Sequence, residues 1–298
     1  MTSAELLQQQ LATSKRRKPK GVKQDLQAGA TYHTELRRIV REVRKDIDKY
    51  VMSAVKSTSF EYTADGISTR IVMDSYVDVI AGALKLVRER WSSPQFNALA
   101  TRIARKFVTT ANNTNAERTK RDLGIDVFVD NSELRDYVQA SIYDNVRLIE
   151  SIPAQYLTQV DSIVMTNVRA GGRPSAIAKL LQEQFGVTER RAKLIARDQT
   201  AKVNGDLNAK RQTAAGFPYF EWTDSGDERV RDRHADINDK VTAYGKGIYR
   251  WDNPPLSDRG TPIIPGQDFS CRCIGRPVSQ EEVDANIKAG RVRKGVTR

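Results

Sequence analysis

The chain has 298 residues, 39% of them hydrophobic and 29% charged, with a net charge of +12 and two cysteines. That length allows one large domain or two to three small ones around a modest core. No run of about 18 apolar residues occurs, so no membrane-spanning helix is expected, and the first residues lack the order of a secretory signal.

The charge is uneven. Residues 1–45 carry +7 and residues 288–298 carry +5, which leaves the stretch between them neutral. Two cationic ends on a neutral body suit a polyanion, most commonly nucleic acid, or they serve only solubility. The candidate phosphate-contacting residues are Lys15, Arg16, Arg17, Lys18, Lys20 and Lys23 at one end, and Arg291, Arg293, Lys294 and Arg298 at the other.

Residues 1–31 read as a basic, disordered arm, because cations and a proline replace apolar periodicity. Residues 32–130 read as a helical region. Leu36, Ile39, Val40, Val43, Ile47, Tyr50, Val51 and Ala54 recur at helical spacing. A second helix is expected after an N-cap at Ser68, and Pro94 opens a third. The polar stretch Thr109–Gly124 reads as a boundary, followed by a short strand, "IDVFVD", at 125–130.

Residues 131–215 are expected to be helical again. Ser132 starts a helix that Pro153 stops, and the next helix ends at the Gly171-Gly172 pair. A short helix, a turn at Gly186 and a long helix capped by Thr188 complete the region. A helical hairpin fits this unit better than a DNA-reading helix-turn-helix, since the second helix is too long for a recognition helix. Residues 216–287 form a small α+β module with strands at 217–223, 248–251 and 272–278 and a capped helix after Ser279. Residues 288–298 leave the body as a basic tail. The fold class is therefore mainly α, bundle-like over the N-terminal two-thirds, with a small α+β C-terminal module.

Both cysteines, Cys271 and Cys273, are separated by one arginine, and one of only two histidines, His234, lies in "DERVRDRHADIND". A disulfide two residues apart is strained and closes almost no loop. A nucleophilic thiol needs a base and an oxyanion loop, and no such loop accompanies this pair. His234, Cys271 and Cys273 are three soft ligands for zinc, with Asp232, Asp236, Asp268 or the remote His33 as candidates for the fourth. The alternative is that both thiols simply face a buried side of a strand. The alternating charges before His234 read as a salt-bridged loop that pins it, rather than as a nuclease centre.

The ordered set Ala196-Arg197-Asp198-Gln199, Trp222, Arg231 with His234 three residues on, Pro265-Gly266, Cys271-Arg272-Cys273 and Pro277-Val278 resembles the phage head morphogenesis family, typified by the phage Mu minor head protein F. The likeness spans about residues 170–280. It departs from the family pattern at Asp198-Gln199, where the family has Thr-Glu, and at Asn238-Asp239, where it has a Gly. The resemblance implies a minor capsid protein of a tailed phage without enzymatic activity. Its implied partners are the portal or major capsid protein and packaged double-stranded DNA, with neither membrane nor small-molecule substrate. It also implies assembly in the host cytoplasm and residence in the virion. The competing readings are a metal-dependent, nuclease-like enzyme using His234, Cys271 and Cys273, and a transcription regulator built on residues 174–215.

Overall fold

The fold was derived from a computed structural model that describes residues 18–57, 73–124 and 132–298, with side chains from residue 77 in the second stretch. Arg16, Arg17, Lys15, the Ser68 cap and the 125–130 strand lie outside the described residues. Helices α1 (Leu26–Asp46), α2 (Met52–Ser57), α3 (Met73–Trp91), α4 (Pro94–Leu123), α5 (Ser132–Arg169) and α6 (Pro174–Ala214) precede a small sheet. A π-helical turn, Ile47–Val51, joins α1 to α2. Strand β1 (Tyr219–Thr223), helix α7 (Asp232–Asp239), strands β2 (Ile248–Arg250) and β3 (Ile274–Val278) and helix α8 (Gln280–Lys288) follow. The protein is mainly helical with a three-stranded antiparallel sheet near its C-terminus.

The sequence divides at 31, 130, 215 and 287, whereas contacts group the residues into two units made of separated stretches. The helical unit comprises Ala30–Lys106 and Ile142–Ala196; the mixed unit comprises Phe107–Ser141, Arg197–Arg298 and the segment ending at Gly29.

In the helical unit, the expected stripe on α1 is buried from Leu36 through Val51 except for the half-buried Tyr50. Removing these apolar faces from water is the main stabilising term. Polar contacts then fix the pairing of helices. Asp46, 6% exposed, accepts from Arg90 at 3.0 Å and from the Trp91 indole at 2.8 Å. Tyr32 donates its hydroxyl to Asn145 at 2.9 Å.

Four local expectations are corrected. Helix α1 begins at Leu26, not beyond residue 31, because Asp25 accepts from the Gln27 and Ala28 amides and caps it. Helix α5 runs through Pro153, since Ile149, Ile152, Tyr156, Leu157 and Val160 keep one buried stripe on both sides of it. Helix α6 runs through Gly186, so neither a helical hairpin nor a helix-turn-helix forms there. The Thr188 hydroxyl donates back to the Gln184 carbonyl instead of capping a new helix. A helical glycine costs only about 1 kcal/mol relative to alanine, less than the burial of Leu181 and Ala192 on either side provides. The Gly171-Gly172 pair ends α5 as expected, with Gly171 at φ +69° and the Gly172 amide bonded to the Asn167 carbonyl.

The fourth correction lies in the mixed unit. The polar stretch 109–124 is no boundary but the second half of α4. Asn112 and Asn115 are partners rather than solvated groups, while Asn113 is exposed. Asn115, 2% exposed, donates to Asn204 and Asn208 at 3.1 and 2.7 Å and accepts from Arg211 at 2.7 Å. Arg211 also donates to the side chain of Asn112, and burial lowers its guanidinium to about 10. Asn204 and Asn208 donate to the carbonyl of Val22, which anchors the N-terminal segment in the same network. That segment is not a free arm over its described part. The Lys20 and Gly21 amides both bond to the Asp122 carboxylate at 2.9 Å.

The sheet has the order β2-β1-β3, with Phe220 opposite Tyr249 and Pro277, and Trp222 opposite Gly275. Alternation along β1 sends Phe220 and Trp222 into one cluster with Ile237, Tyr249, Ile263 and both cysteines. Tyr219 enters another with Ile248, Val278 and Val283 of α8. Ser279 caps α8, as the sequence indicates, by accepting from the Glu282 amide.

Candidate metal centre

Three pieces of the mixed unit bring the cluster together. Helix α7 supplies His234, and the Tyr249 hydroxyl, donating to the Ile237 carbonyl at 2.7 Å, holds that helix on the sheet. The loop ahead of β3 supplies the cysteines, and α6 supports that loop. Gly205 and Gly266 let two backbones touch. A Cβ on Gly205 would sit 2.3 Å from the Pro265 carbonyl oxygen, and one on Gly266 would sit 2.6 Å from that of Ala201. The Pro265-Gly266 pair is therefore a seat for the loop. Beyond it, Gln267 donates to Asp206 at 2.8 Å and the Ser270 amide donates to Asp198 at 3.2 Å. Gln24, from the N-terminal segment, donates to the Cys271 carbonyl at 3.2 Å.

Cys271 and Cys273 are free thiols, 3% and 5% exposed. They precede β3 rather than alternating within it, and the Cys273 amide turns back toward Cys271 Sγ at 3.4 Å. His234, 3% exposed, packs edge-on to Trp222. Its Nε2 lies 3.0 Å from Asp268 Oδ2, and its Nδ1 lies 3.5 Å from Cys273 Sγ and 3.8 Å from Cys271 Sγ. Asp268 thus holds the Nε2 proton and leaves the Nδ1 lone pair facing both sulfurs.

This donor set fits zinc. Zn–N of about 2.0 Å and Zn–S of about 2.3 Å at tetrahedral angles imply N···S separations of about 3.5 Å. The ligand atoms of His234, Cys271 and Cys273 all lie within 4.8 Å of one another and are buried. Electrostatics prepare one of the three ligands, Cys271, for zinc, whereas the ion would have to displace protons from the other two. The Cys273 thiol, the His234 ring and the Cys273 amide pull Cys271 down toward thiolate against its burial. The Cys271 thiolate and burial push Cys273 up in turn. Burial works against protonation of His234, but Cys271 and Asp268 outweigh it and raise the group.

Asp268 serves the other ring nitrogen, and Asp232 and Asp236 are exposed members of α7 outside the cluster. Among the described residues the group therefore has three members. The charged loop before His234 is a latch. Arg272 pairs with Asp227, whose carboxyl it holds down at about 2, Arg231 pairs with Asp268, and Arg233 donates to the Leu256 carbonyl.

Of the basic residues singled out in the sequence, Lys18 pairs with Glu282 at 2.7 Å, while Lys20 and Lys23 are exposed. The C-terminal tail does not leave the body. The Arg293 amide bonds to the Thr242 carbonyl, and the Ala243 amide bonds to that of Val296. The side chains of Arg291, Arg293, Lys294 and Arg298 remain exposed on that folded-back tail. Sequence reasoning did not single out Gly205, and it noted Arg229 only as one charge of the loop before His234 and Arg197 only as part of a motif. No regular spacing links them, because they meet across loops.

Residues 158–275 match the family model described as Phage Mu protein F like protein. An uncharacterized protein of Haemophilus influenzae is 30% identical over 285 residues, which covers 93% of this chain and 59% of that protein. The chain thus spans about three-fifths of that relative's length. No solved structure matches. The matched stretch contains the whole of α6, β1, His234, the glycine seat and both cysteines, so over residues 158–275 the chain is similar to the Phage Mu protein F like family.

Proposed function

We propose that the chain is a minor capsid protein of a tailed phage, acting in head assembly at the portal or inner shell without catalysis. One observation carries this reading. The segment that matches the family is the segment that builds the locked module, from α6 through the Cys271-Arg272-Cys273 turn. A module closed by α6, a sheet and a three-residue cluster is a scaffold for docking. In this reading His234, Cys271 and Cys273 hold a structural zinc ion, which ties α7 to the loop ahead of β3 as a crosslink would. The exposed cations of both ends touch packaged DNA without sequence preference, so that contact weakens steeply with salt.

Among the described carboxylates near the cluster, Asp268 is committed to His234 and Arg231, and Asp227 to Arg272. Neither is a free base for an attacking water, which supports the structural role over the nuclease-like one. The direct test is quantitative mass spectrometry of gradient-purified phage heads. A few copies per head, together with failed head assembly when the gene is deleted, is the expected result. Full head assembly without the protein would overturn the proposal.

A further inference from the structure

A cavity of about 120 Å³ opens directly over the cysteines and His234. Its other lining residues are Arg197, Arg229, Arg231 and Arg272, with Ser225, Val230 and Ser270. The two acids that reach these arginines are already used, Asp227 by Arg272 and Asp268 by Arg231. Arg197 and Arg229, both exposed, have no ion-pair partner among the described residues, so two unneutralised cationic residues line the same cavity. Like charges gathered in this way repel unless an anion joins them.

Ser270 supplies a second, independent observation. Its hydroxyl oxygen is buried and has no hydrogen-bond partner. Its backbone stands at φ +53°, a left-handed conformation that non-glycine residues seldom adopt, and Asp198 holds it there through the Ser270 amide. A strained residue that lines a cationic cavity and keeps an unsatisfied hydroxyl can offer it to an acceptor there by a turn of its side chain. The cavity has room for about four waters at roughly 30 Å³ each, which suits one tetrahedral oxyanion, free or as a single phosphate group of a larger molecule.

We infer that this cavity binds a single phosphate-class oxyanion, gripped by Arg197 and Arg229 with the Ser270 hydroxyl donating to it. Guanidinium forks match phosphate oxygens in pairs, which accounts for arginine rather than lysine at all four positions. The site extends the zinc proposal without depending on it. The three-ligand cluster leaves one tetrahedral position, and the cavity lies on that cluster. The arginines, by contrast, act whether or not a metal is bound.

The test is titration of the full chain with inorganic phosphate, by calorimetry and ³¹P line broadening, in zinc-loaded and metal-stripped forms. Saturable one-to-one binding at about 1 mM or tighter is expected in at least the zinc-loaded form. Arg197→Ala with Arg229→Ala should weaken it about tenfold or more, while zinc content and the thermal melt stay unchanged. Arg229→Lys should recover part of the loss. Binding in both metal states means that the arginines suffice, and binding only with zinc means that the oxyanion completes the coordination. Absence of saturable binding in both states, or undiminished binding in the double variant, overturns the inference. Adding a short DNA duplex then separates the sources. Displacement of phosphate identifies backbone phosphate as the ligand, and no displacement identifies a free oxyanion.

Discussion

The two units of this chain are held together by different physics. The helical unit buries continuous apolar stripes, such as Leu36 through Val51, with the occasional polar clasp at Asp46. The mixed unit buries asparagines, an arginine, a histidine and two thiols, and each depends on a partner far away in the chain. The first kind of core tolerates local imperfection, which is why a proline and a glycine pass through its helices. The second kind is specific and unforgiving, because a buried polar group that loses its partner keeps its full desolvation cost.

Substitutions that separate the two cores should rank accordingly. Trp222→Ala removes the largest buried side chain of the cysteine-bearing cluster and is expected to cost about 3–5 kcal/mol. Hydrogen exchange should show protection lost in the mixed unit and retained from Leu36 to Val51, on α1 and the π-helical turn that follows it. Arg211→Met strips the donor from Asn112 and Asn115 and should cost about 2–4 kcal/mol in chemical denaturation. A neutral result would mean that the polar network is not what holds α4 to α6 in that unit.

Asp268→Asn leaves all three ligand atoms in place but weakens the hold on the His234 ring. Zinc affinity, measured by competition with a chromogenic chelator, should fall by about 10–100-fold. In the unaltered protein, mass spectrometry should find one zinc per chain, with both thiols protected until chelation.

Helix α6 offers a matched pair, since it carries one glycine in each unit. Gly205→Ala drives a methyl into the Pro265 carbonyl and should destabilise by about 1–3 kcal/mol. Gly186→Ala meets only the Arg190 guanidinium at 3.5 Å and should stabilise by about 0.5–1 kcal/mol. Thermal melts of the two variants should shift in opposite directions, and shifts of the same sign would break the comparison.

The smallest effect concerns pH. Glu282 is partly buried, which opposes its charge, yet Arg276 and Lys18 together hold its carboxyl below the usual 4.5. A depressed carboxylate stabilises above its unfolded value, and that contribution is lost as pH falls through the folded one. Glu282→Gln should therefore cost about 1 kcal/mol at pH 7, and the difference from the unaltered protein should begin to shrink as pH falls below the usual 4.5 and vanish once pH is below the depressed folded value.

Periodicity in the sequence was enough for the α1 stripe, the Pro94 start, the glycine end of α5, the three strands and the Ser279 cap. The same rules misplaced α5 and α6, because Pro153 and Gly186 are strong local signals that tertiary burial overrides. They also misjudged 109–124, whose asparagines look solvated until Asn204, Asn208 and Arg211 are brought beside them. For the candidate centre, the rarity of cysteine and histidine pointed to three residues that the fold brings together. It could not choose between Asp232, Asp236 and Asp268, or give Asp268 its place behind the ring.

By itself, then, the sequence determined which residues are apolar at helical or strand spacing and which soft ligands the chain possesses. Only the tertiary structure decided which polar groups become core, which nitrogen of His234 faces the thiols, and that Arg197 and Arg229 share a cavity. The reason is one of range. Hydrophobic periodicity is a property of neighbours along the chain, whereas satisfying a buried donor, acceptor or charge needs a partner that only the fold can bring.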